Sequence, residues 1–390
     1  MQHIYADLHI HIGRAGGKPV KITASKELDL KEIMKAARIK GLNMVGVVDC
    51  GSPLVTTEIQ ILLEQSFLQV GEDGTLKSQD GITLILGAEI ESREGAHFIT
   101  YLPDLPAADK WQKVVSRKVH NLNLSTQKTI LTAAELVDIA EAVNGMFVVA
   151  HAFTPHKGAY GCWVTRLADG LRNRIAWVKA LELGLSSDTD MAGLIHETRQ
   201  FTFLANSDAH SAGNIAREYN LIRMQSPTFQ EFRMAVEGTD GRRVMANFGM
   251  DPLLGKYHRS YCPACNIITD SDTPIFQCDS CGAKMVAGVW DRVMTIRDFD
   301  QPQQPVGRAR YYYRVPLRFI PGLGPKTLTK LRNTVGTDID ITERADLDLI
   351  KKAAGERVTG YIKTMRESRL EIVPGGGGKY GRVKENRTDN

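Results

Sequence analysis

Ile4-Tyr5-Ala6-Asp7-Leu8-His9-Ile10-His11 opens the chain with alternating polar and apolar residues. Successive side chains of a strand point to opposite faces, so Asp7, His9 and His11 share one side and Ala6, Leu8 and Ile10 the other. Two imidazoles on a buried face are costly unless something binds them, and a divalent cation does so readily.

Later apolar runs end in the same residue types. Val45-Gly-Val-Val48 leads into Asp49, Leu84-Ile-Leu-Gly-Ala88 into Glu89, and Phe147-Val-Val-Ala150 into His151. Phe203-Leu-Ala-Asn-Ser207 leads into Asp208-Ala209-His210. Candidate strands cover 4–10, 44–49, 82–90, 96–102, 146–151, 176–183, 201–207 and 219–224. Helix-period segments at 28–39, 59–68, 133–143 and 229–236 lie between several of them. This alternation predicts an α/β fold, a parallel sheet or barrel with helices outside. An open doubly wound sheet is the weaker reading, because no Gly-x-Gly-x-x-Gly follows the first strand. In a barrel of parallel strands every C-terminal end opens onto one face, where active sites are built. Packing alone does not explain so many strands ending in His, Asp or Glu. Loop residues His156 and Lys157 are open between a phosphate contact and plain solvation. Segment 108–131, which contains His120, reads as an insertion.

At 390 residues the chain has room for two or three domains. Its 43% hydrophobic and 24% charged residues exclude a disordered chain. No apolar run approaches the roughly 18 residues of a membrane span. No export signal is visible, and four of the six cysteines fall in two Cys-x-x-Cys pairs. The expectation is a reducing cytoplasm and a metal site, not disulfides.

Cys262, Cys265, Cys278 and Cys281 have the spacing of a closed tetrahedral zinc site, which is structural. Charge then shifts along the chain. Residues 1–239 hold 24 basic and 27 acidic side chains, residues 240–390 hold 25 and 18, and 301–336 hold seven basic and none acidic. Such a block suits a polyanion. Arg308, Arg310 and Arg314 interleave with three tyrosines, which suits either phosphate and base contact or a strand with solvated arginines. The turn Gly322-Leu-Gly324 precedes an amphipathic helix carrying Lys326 and Lys330, so free backbone N–H groups there can hold a phosphate. This resembles a helix-hairpin-helix motif, a DNA-backbone clamp. The glycine-rich segment 374–382 is open between a flexible end and a backbone-approach loop.

Asp7-Leu-His9-Ile-His11, Val48-Asp49, Gly87-Ala-Glu89, Ala96-His97, Ala150-His151 and Ser207-Asp208-Ala-His210 together resemble the polymerase and histidinol phosphatase (PHP) family of metal-dependent phosphoesterases. The resemblance implies a distorted (β/α)7 barrel over 1–240 with two or three catalytic metals, zinc first and manganese or magnesium as alternatives. It implies one metal on His9, His11, Glu89 and Asp208, and a second on Glu89, His97 and His151. His210 and Asp49 would serve a third. His120 is the reserve for His97. The family usually has Thr-Asp-His where this chain has Val48-Asp49-Cys50, and Cys50 reads as a buried structural cysteine.

A phosphoesterase barrel, a four-cysteine zinc module at 241–300 and a basic helical DNA-binding region at 301–390, in that order, resemble the endonuclease Q family. That resemblance implies a cytoplasmic, nucleoid-associated enzyme without a membrane partner. Its substrate would be double-stranded DNA, hydrolysed on the 5′ side of deoxyuridine, deoxyinosine, deoxyxanthosine or an abasic site. The alternatives are a small-molecule phosphatase of the wider family and a non-catalytic nucleic-acid-binding protein.

Overall fold

A computed structural model describes residues 1–385, in which one large mixed sheet is flanked by helices. Its main strands are β1 (Gln2–Ile10), β2 (Met44–Val47), β3 (Thr83–Glu91), β4 (His97–Leu102), β5 (Met146–Val149), β6 (Val178–Glu182), β7 (Thr202–Leu204), β8 (Tyr219–Met224), β9 (Arg243–Met250) and β10 (Arg310–Arg314). They lie side by side in the order β7-β6-β5-β4-β3-β2-β1-β8-β9-β10.

The expected parallel sheet is only partly realised. β1, β2 and β3 run parallel, as do β5, β6 and β7, but β4 is antiparallel to both its neighbours. Only residues 92–96 separate β3 from β4, closed by Ser92 N–H donating to Ala96 O at 2.8 Å. A crossover between parallel strands needs a dozen or more residues, so this link can only make a hairpin. On the other flank β8 is antiparallel to β1 and β9, and β10 adds parallel to β9, which carries the sheet past residue 240.

The sheet curls, and amide side chains tie its two flanks together. Asn247 on β9 donates to Phe203 O on β7 at 3.0 Å. Asn220 on β8 donates to Ala205 O and accepts from Ala205 N–H, each at 2.9 Å. Both asparagines are fully buried, so each bond replaces a ladder contact that the backbone does not make there.

Helices cover the outside. α1 (Leu30–Lys40) begins at Asp29, whose carboxylate accepts from Glu32 N–H at 3.0 Å, and stops at Gly41 with φ of +89°. That is a side-chain N-cap and a left-handed C-cap, and Leu30, Ile33, Met34 and Ala37 form the buried face between them. α2 (Pro53–Glu64), α3 (Leu105–Val115), α4 (Ala133–Ala142), α5 (Phe229–Glu237) and α6 (Val289–Ile296) follow. The expected insertion at 108–131 is α3 plus a loop folded back over the sheet, with Ser125 N–H on Val20 O at 3.0 Å and Glu91 N–H on Gln127 O at 3.1 Å.

Beyond β10, α7 (Pro325–Thr334), α8 (Leu347–Ala354) and α9 (Glu356–Arg366) enclose a second core. Leu331, Ile341, Ile350, Val358, Ile362 and Met365 are among its buried members. The segment before the Gly322-Leu-Gly324 turn is a 3-10 turn at Leu317–Phe319, shorter than the first helix of a helix-hairpin-helix. Among the described residues no helix is long and apolar enough to cross a membrane.

Candidate functional site

β1 delivers His9 and His11 to the mouth of the curled sheet, with a register irregularity between Asp7 and Ile10. Asp7 stays behind them. Its carboxylate accepts from Ser207 N–H at 3.0 Å and Ala216 N–H at 2.9 Å, which fixes the loop after β7 against β1. Burial pushes the Asp7 carboxyl up to about 6 against those two donors.

Two ligand-type groups form there, His9/His11/Asp208 and Glu89/His97/His151, with ligand atoms within 4.8 Å of one another inside each. Glu89, at the mouth end of β3, stands between them. Its Oε1 lies 3.6 Å from His9 Nε2, 3.2 Å from His97 Nδ1 and 3.3 Å from His151 Nε2, and its Oε2 lies 3.3 Å from His11 Nε2. Asp208 Oδ1 lies 3.6 and 3.5 Å from the Nε2 atoms of His9 and His11. Donor atoms about 2.1 Å from one shared ion stand roughly 3–4 Å apart, so these spacings fit divalent cations. His97 opens β4 rather than ending it, and the antiparallel course of β4 brings it to the same mouth. Asp208 and His151 have positive φ, +44° and +29°, a strained backbone that clusters at functional sites.

The two imidazoles of β1 are oriented from behind. His9 Nδ1–H donates to Glu182 Oε2 at 2.8 Å, and His11 Nδ1–H donates to Asp49 Oδ1 at 2.8 Å. Each bond fixes the tautomer and leaves Nε2 facing the cluster. Asp49, expected with His210 at a third ion, lies behind His11 in this way. Its Oδ2 also accepts from Ile12 N–H at 2.6 Å, and Ser125 donates to Oδ1, so the carboxylate braces the loop after β1 as well as His11. The His210 ring packs 4.6 Å from His11, and its Nδ1–H donates to Asp208 O at 3.1 Å. His120, the reserve for His97, is exposed and lies outside both groups.

Sequence reasoning did not assign Glu182 to His9, although it ends the apolar β6 as Glu89 and His151 follow theirs. Lys21 and Thr126 were also missed. Lys21 Nζ lies 3.5 Å from Glu89 Oε2, to which Thr126 Oγ1 donates at 2.7 Å. Both sit on loops, where no periodicity marks them. Lys157 closes the far side through an ion pair with Glu91.

Charge is concentrated here. Burial opposes ionisation of Glu89, but His97, Lys21, His11 and His151 hold it well below the usual carboxylate range. Burial likewise opposes a charge on His9, yet Glu182, Asp208 and Glu89 raise it to about 9. His210 goes the other way, pushed down to about 4 by burial and by His11. The cluster floors an open cleft lined also by Lys21, Ile22 and Thr23 and by residues 124–127, two segments that meet through Ser125 N–H on Val20 O.

A third group lies away from the cleft. Cys262 Sγ is 3.7 Å from Cys281 Sγ, and Cys265 Sγ is 3.9 Å from Cys278 Sγ. The edge of a tetrahedron of sulfurs about 2.3 Å from one ion is roughly 3.8 Å, so the four thiols fit a single cation.

The basic C-terminal stretch divides. Lys326, Lys330, Gly322 and Gly324 are exposed, and Gly324, the N-cap of α7, makes no side-chain cap hydrogen bond. Arg310 is exposed over the Tyr312 ring. Arg314 and Arg308 correct the expectation of free phosphate contacts. Arg314 is buried, paired through Nε and Nη2 with Glu343 at 2.6 and 2.7 Å. Arg308 lies over Phe203 and donates to the Thr198, Arg199 and Phe201 carbonyls. The tyrosines are engaged too: Tyr311 O–H donates to Met250 O, Tyr313 O–H to Asp188, and Tyr312 stacks on Phe248. Parallel pairing of β10 with β9 causes this, because it folds the motif into the sheet instead of leaving it as a surface strip.

No family model matches the chain. Two crystal structures resemble it over nearly its whole length. The lesion-specific endonuclease PfuEndoQ from Pyrococcus furiosus is 30% identical with a TM-score of 0.86, covering 99% of this chain and 96% of that one. Endonuclease Q in complex with a 27-mer duplex carrying an abasic lesion at its active site is 30% identical with the same TM-score, covering 99% and 97%. Likeness of that extent, with paired metal-type clusters at the mouth of the sheet, makes the protein a metal-dependent endonuclease. The uncharacterized protein YqxK of Bacillus subtilis (strain 168) is 38% identical over 392 residues, 98% of this chain and all of YqxK. The chain belongs to the endonuclease Q family.

Proposed function

We propose that the protein nicks duplex DNA on the 5′ side of deoxyuridine, deoxyinosine, deoxyxanthosine or an abasic site, leaving 3′-OH and 5′-phosphate ends. The observation that carries this reading is Glu89, which touches four histidines in two ligand groups on the floor of an open cleft. His9, His11, Glu89 and Asp208 would hold one divalent ion, zinc first and manganese or magnesium as alternatives, and Glu89, His97 and His151 a second. His210 would serve a third. When bound, such ions supply Lewis acidity, lowering the pKa of a water and neutralising charge that builds on the phosphate. Lys21 and Lys157 bring cations to the cleft walls to position that phosphate. Because its Nδ1–H is committed to the Asp208 carbonyl, Nε2 is the His210 atom free to hold the third ion. A deaminated base would be turned out of the stack to be read on its edge. The cysteine group would hold structural zinc, and the Gly322-Leu-Gly324 turn with α7 would clamp the DNA backbone as a helix-hairpin-helix does. Such a substrate would place the enzyme at the nucleoid.

The test is a nicking assay on end-labelled duplexes carrying one deoxyuridine, one abasic site or no lesion. Cuts 5′ to the lesion only, dependent on divalent metal, are the expected result. Hydrolysis of phosphate monoesters without nicking would make it a small-molecule phosphatase, and binding without nicking a non-catalytic DNA-binding protein.

The clamp has its own expected outcome. Replacing Lys326 and Lys330 by Ala should weaken binding of damaged and undamaged duplexes alike, because backbone contacts carry affinity and not sequence. The slope of log affinity against log salt should become shallower by about one to two units if each lysine neutralises one phosphate. An unchanged slope in a salt titration would show that these lysines are only solvated.

A further inference from the structure

The glycine-rich segment 374–382 is held in place, and it reaches the metal-type cluster through two residues. Gly375 N–H donates to Leu253 O at 2.7 Å and Gly381 N–H to Leu254 O at 3.0 Å, while Ile372–Val373 pairs antiparallel with Arg382–Val383. Side chains cannot replace these two glycines. A Cβ on Gly375 would stand 2.4 Å from Gly381 N, and one on Gly381 would stand 2.6 Å from Val373 O. The hairpin so formed presents Tyr380, whose hydroxyl accepts from Arg217 Nη1 at 2.6 Å.

Arg217 is buried at 7% exposure, and its other two donating nitrogens meet the loop after β7. Nε donates to Ser207 O at 2.6 Å and Nη2 to Asp208 O at 3.1 Å. These are the carbonyls on either side of the Asp208 backbone, which is held in the left-handed region at φ of +44°. A non-glycine residue keeps that conformation only where its surroundings over-determine it. The planar fork of a guanidinium can serve two carbonyls and a hydroxyl at fixed angles, which a lysine ammonium cannot. Tyr380 also carries Lys256 Nζ 4.5 Å above its ring and packs 5.9 Å from Phe319, just before the Gly322-Leu-Gly324 turn.

We infer that Arg217 is the positioning residue for Asp208, and that Tyr380 locks it, so that the His9/His11/Asp208 group reaches ligand geometry only when the C-terminal hairpin is seated. The inference rests on the reading of Asp208 as a metal ligand. It makes the neighbourhood of the DNA clamp and the metal cluster one mechanical unit, with Tyr380 linking Phe319 on one side to Arg217 on the other.

Tyr380→Phe removes one hydroxyl and keeps the ring, and Arg217→Lys keeps the charge and removes the fork. Metal-stripped, DNA-free protein is titrated with Zn2+ and separately with Mn2+ against a chelator. Losing an outer-shell partner costs about 10–100-fold in metal affinity, so Tyr380→Phe should weaken one barrel site by about tenfold and Arg217→Lys by more. The cysteine group, which shares no residue with the barrel, serves as the internal reference and should be unmoved. Amide exchange at residues 207–210 should quicken in both variants. With saturating lesion duplex, kcat should fall at low metal and recover as metal is raised, with KM unchanged. Wild-type metal affinity in Tyr380→Phe would overturn the inference, as would a defect confined to KM that metal does not repair. If the wild-type protein itself cuts no duplex, the proposed activity fails while the titration still reports on Arg217 and Tyr380.

Discussion

Exchanging Glu89 for Gln should strip both barrel groups of their ions and abolish nicking. Glu89 lies within 3.6 Å of four imidazoles, His9, His11, His97 and His151, and the substitution keeps its volume while removing its charge. The amide also turns one oxygen into a donor that faces imidazole nitrogens. Loss of an outer-shell partner costs up to about a hundredfold in metal affinity, and a shared inner ligand should exceed that at both sites. Elemental analysis should find the ions of the barrel gone and the cysteine-bound ion retained. Full barrel occupancy in Glu89→Gln would show that the two groups do not share this ligand.

The same residue predicts how the metal-free protein responds to acid. Glu89 is held well below its ordinary value of 4.5 in the folded state, first against burial and then by His97 and Lys21. A depressed carboxylate contributes stability above the unfolded pKa, and that contribution is lost as pH falls through the folded one. Metal-free wild-type protein should therefore lose stability on acidification below about pH 4.5, and this loss should be shallower in Glu89→Gln.

Cys278→Ser should release one ion per chain and unfold the segment between Cys262 and Val286. The buried apolar residues of this module are Cys262, Cys278 and Met285, with Cys265, Ile275 and Ala283 packed against them. Burying three such side chains stabilises by only a few kcal/mol, at about 25 cal/mol per Å². A structural zinc site supplies about 10–16 kcal/mol of apparent binding free energy, so the metal dominates the fold of this piece. The flank should hold, because the fully buried Asp291 on α6 accepts from Ser260 N–H at 2.6 Å and pairs with Arg259. Limited proteolysis should thus cut Cys278→Ser within the module while the sheet stays intact and keeps its own ions. A variant that resists protease like the wild type would mean that the hairpin stands without metal.

Much of this protein is written locally in its sequence. Alternation of two places Asp7, His9 and His11 on one face whatever surrounds them, and doubled Cys-x-x-Cys spacing brings four sulfurs to one point. Strand ends at Asp49, Glu89, His151 and Asp208 were legible because an apolar run that stops at a charged residue must stop at a mouth. Tertiary structure decided the rest, since it depends on partners far apart in the chain. A five-residue link turned β4 round and put His97 at its start. Asp49 and His210 follow the same local rule as the members of the two groups, but only the folded distances separate the support of His11 from a group facing the cleft. Pairing with β9 drew Arg308, Arg314 and the tyrosines inward, where Glu343 and backbone carbonyls satisfy the guanidinium groups and the sheet satisfies the rings. Lys326 and Lys330 stayed outside, because a helix set on a second core keeps its polar face in water.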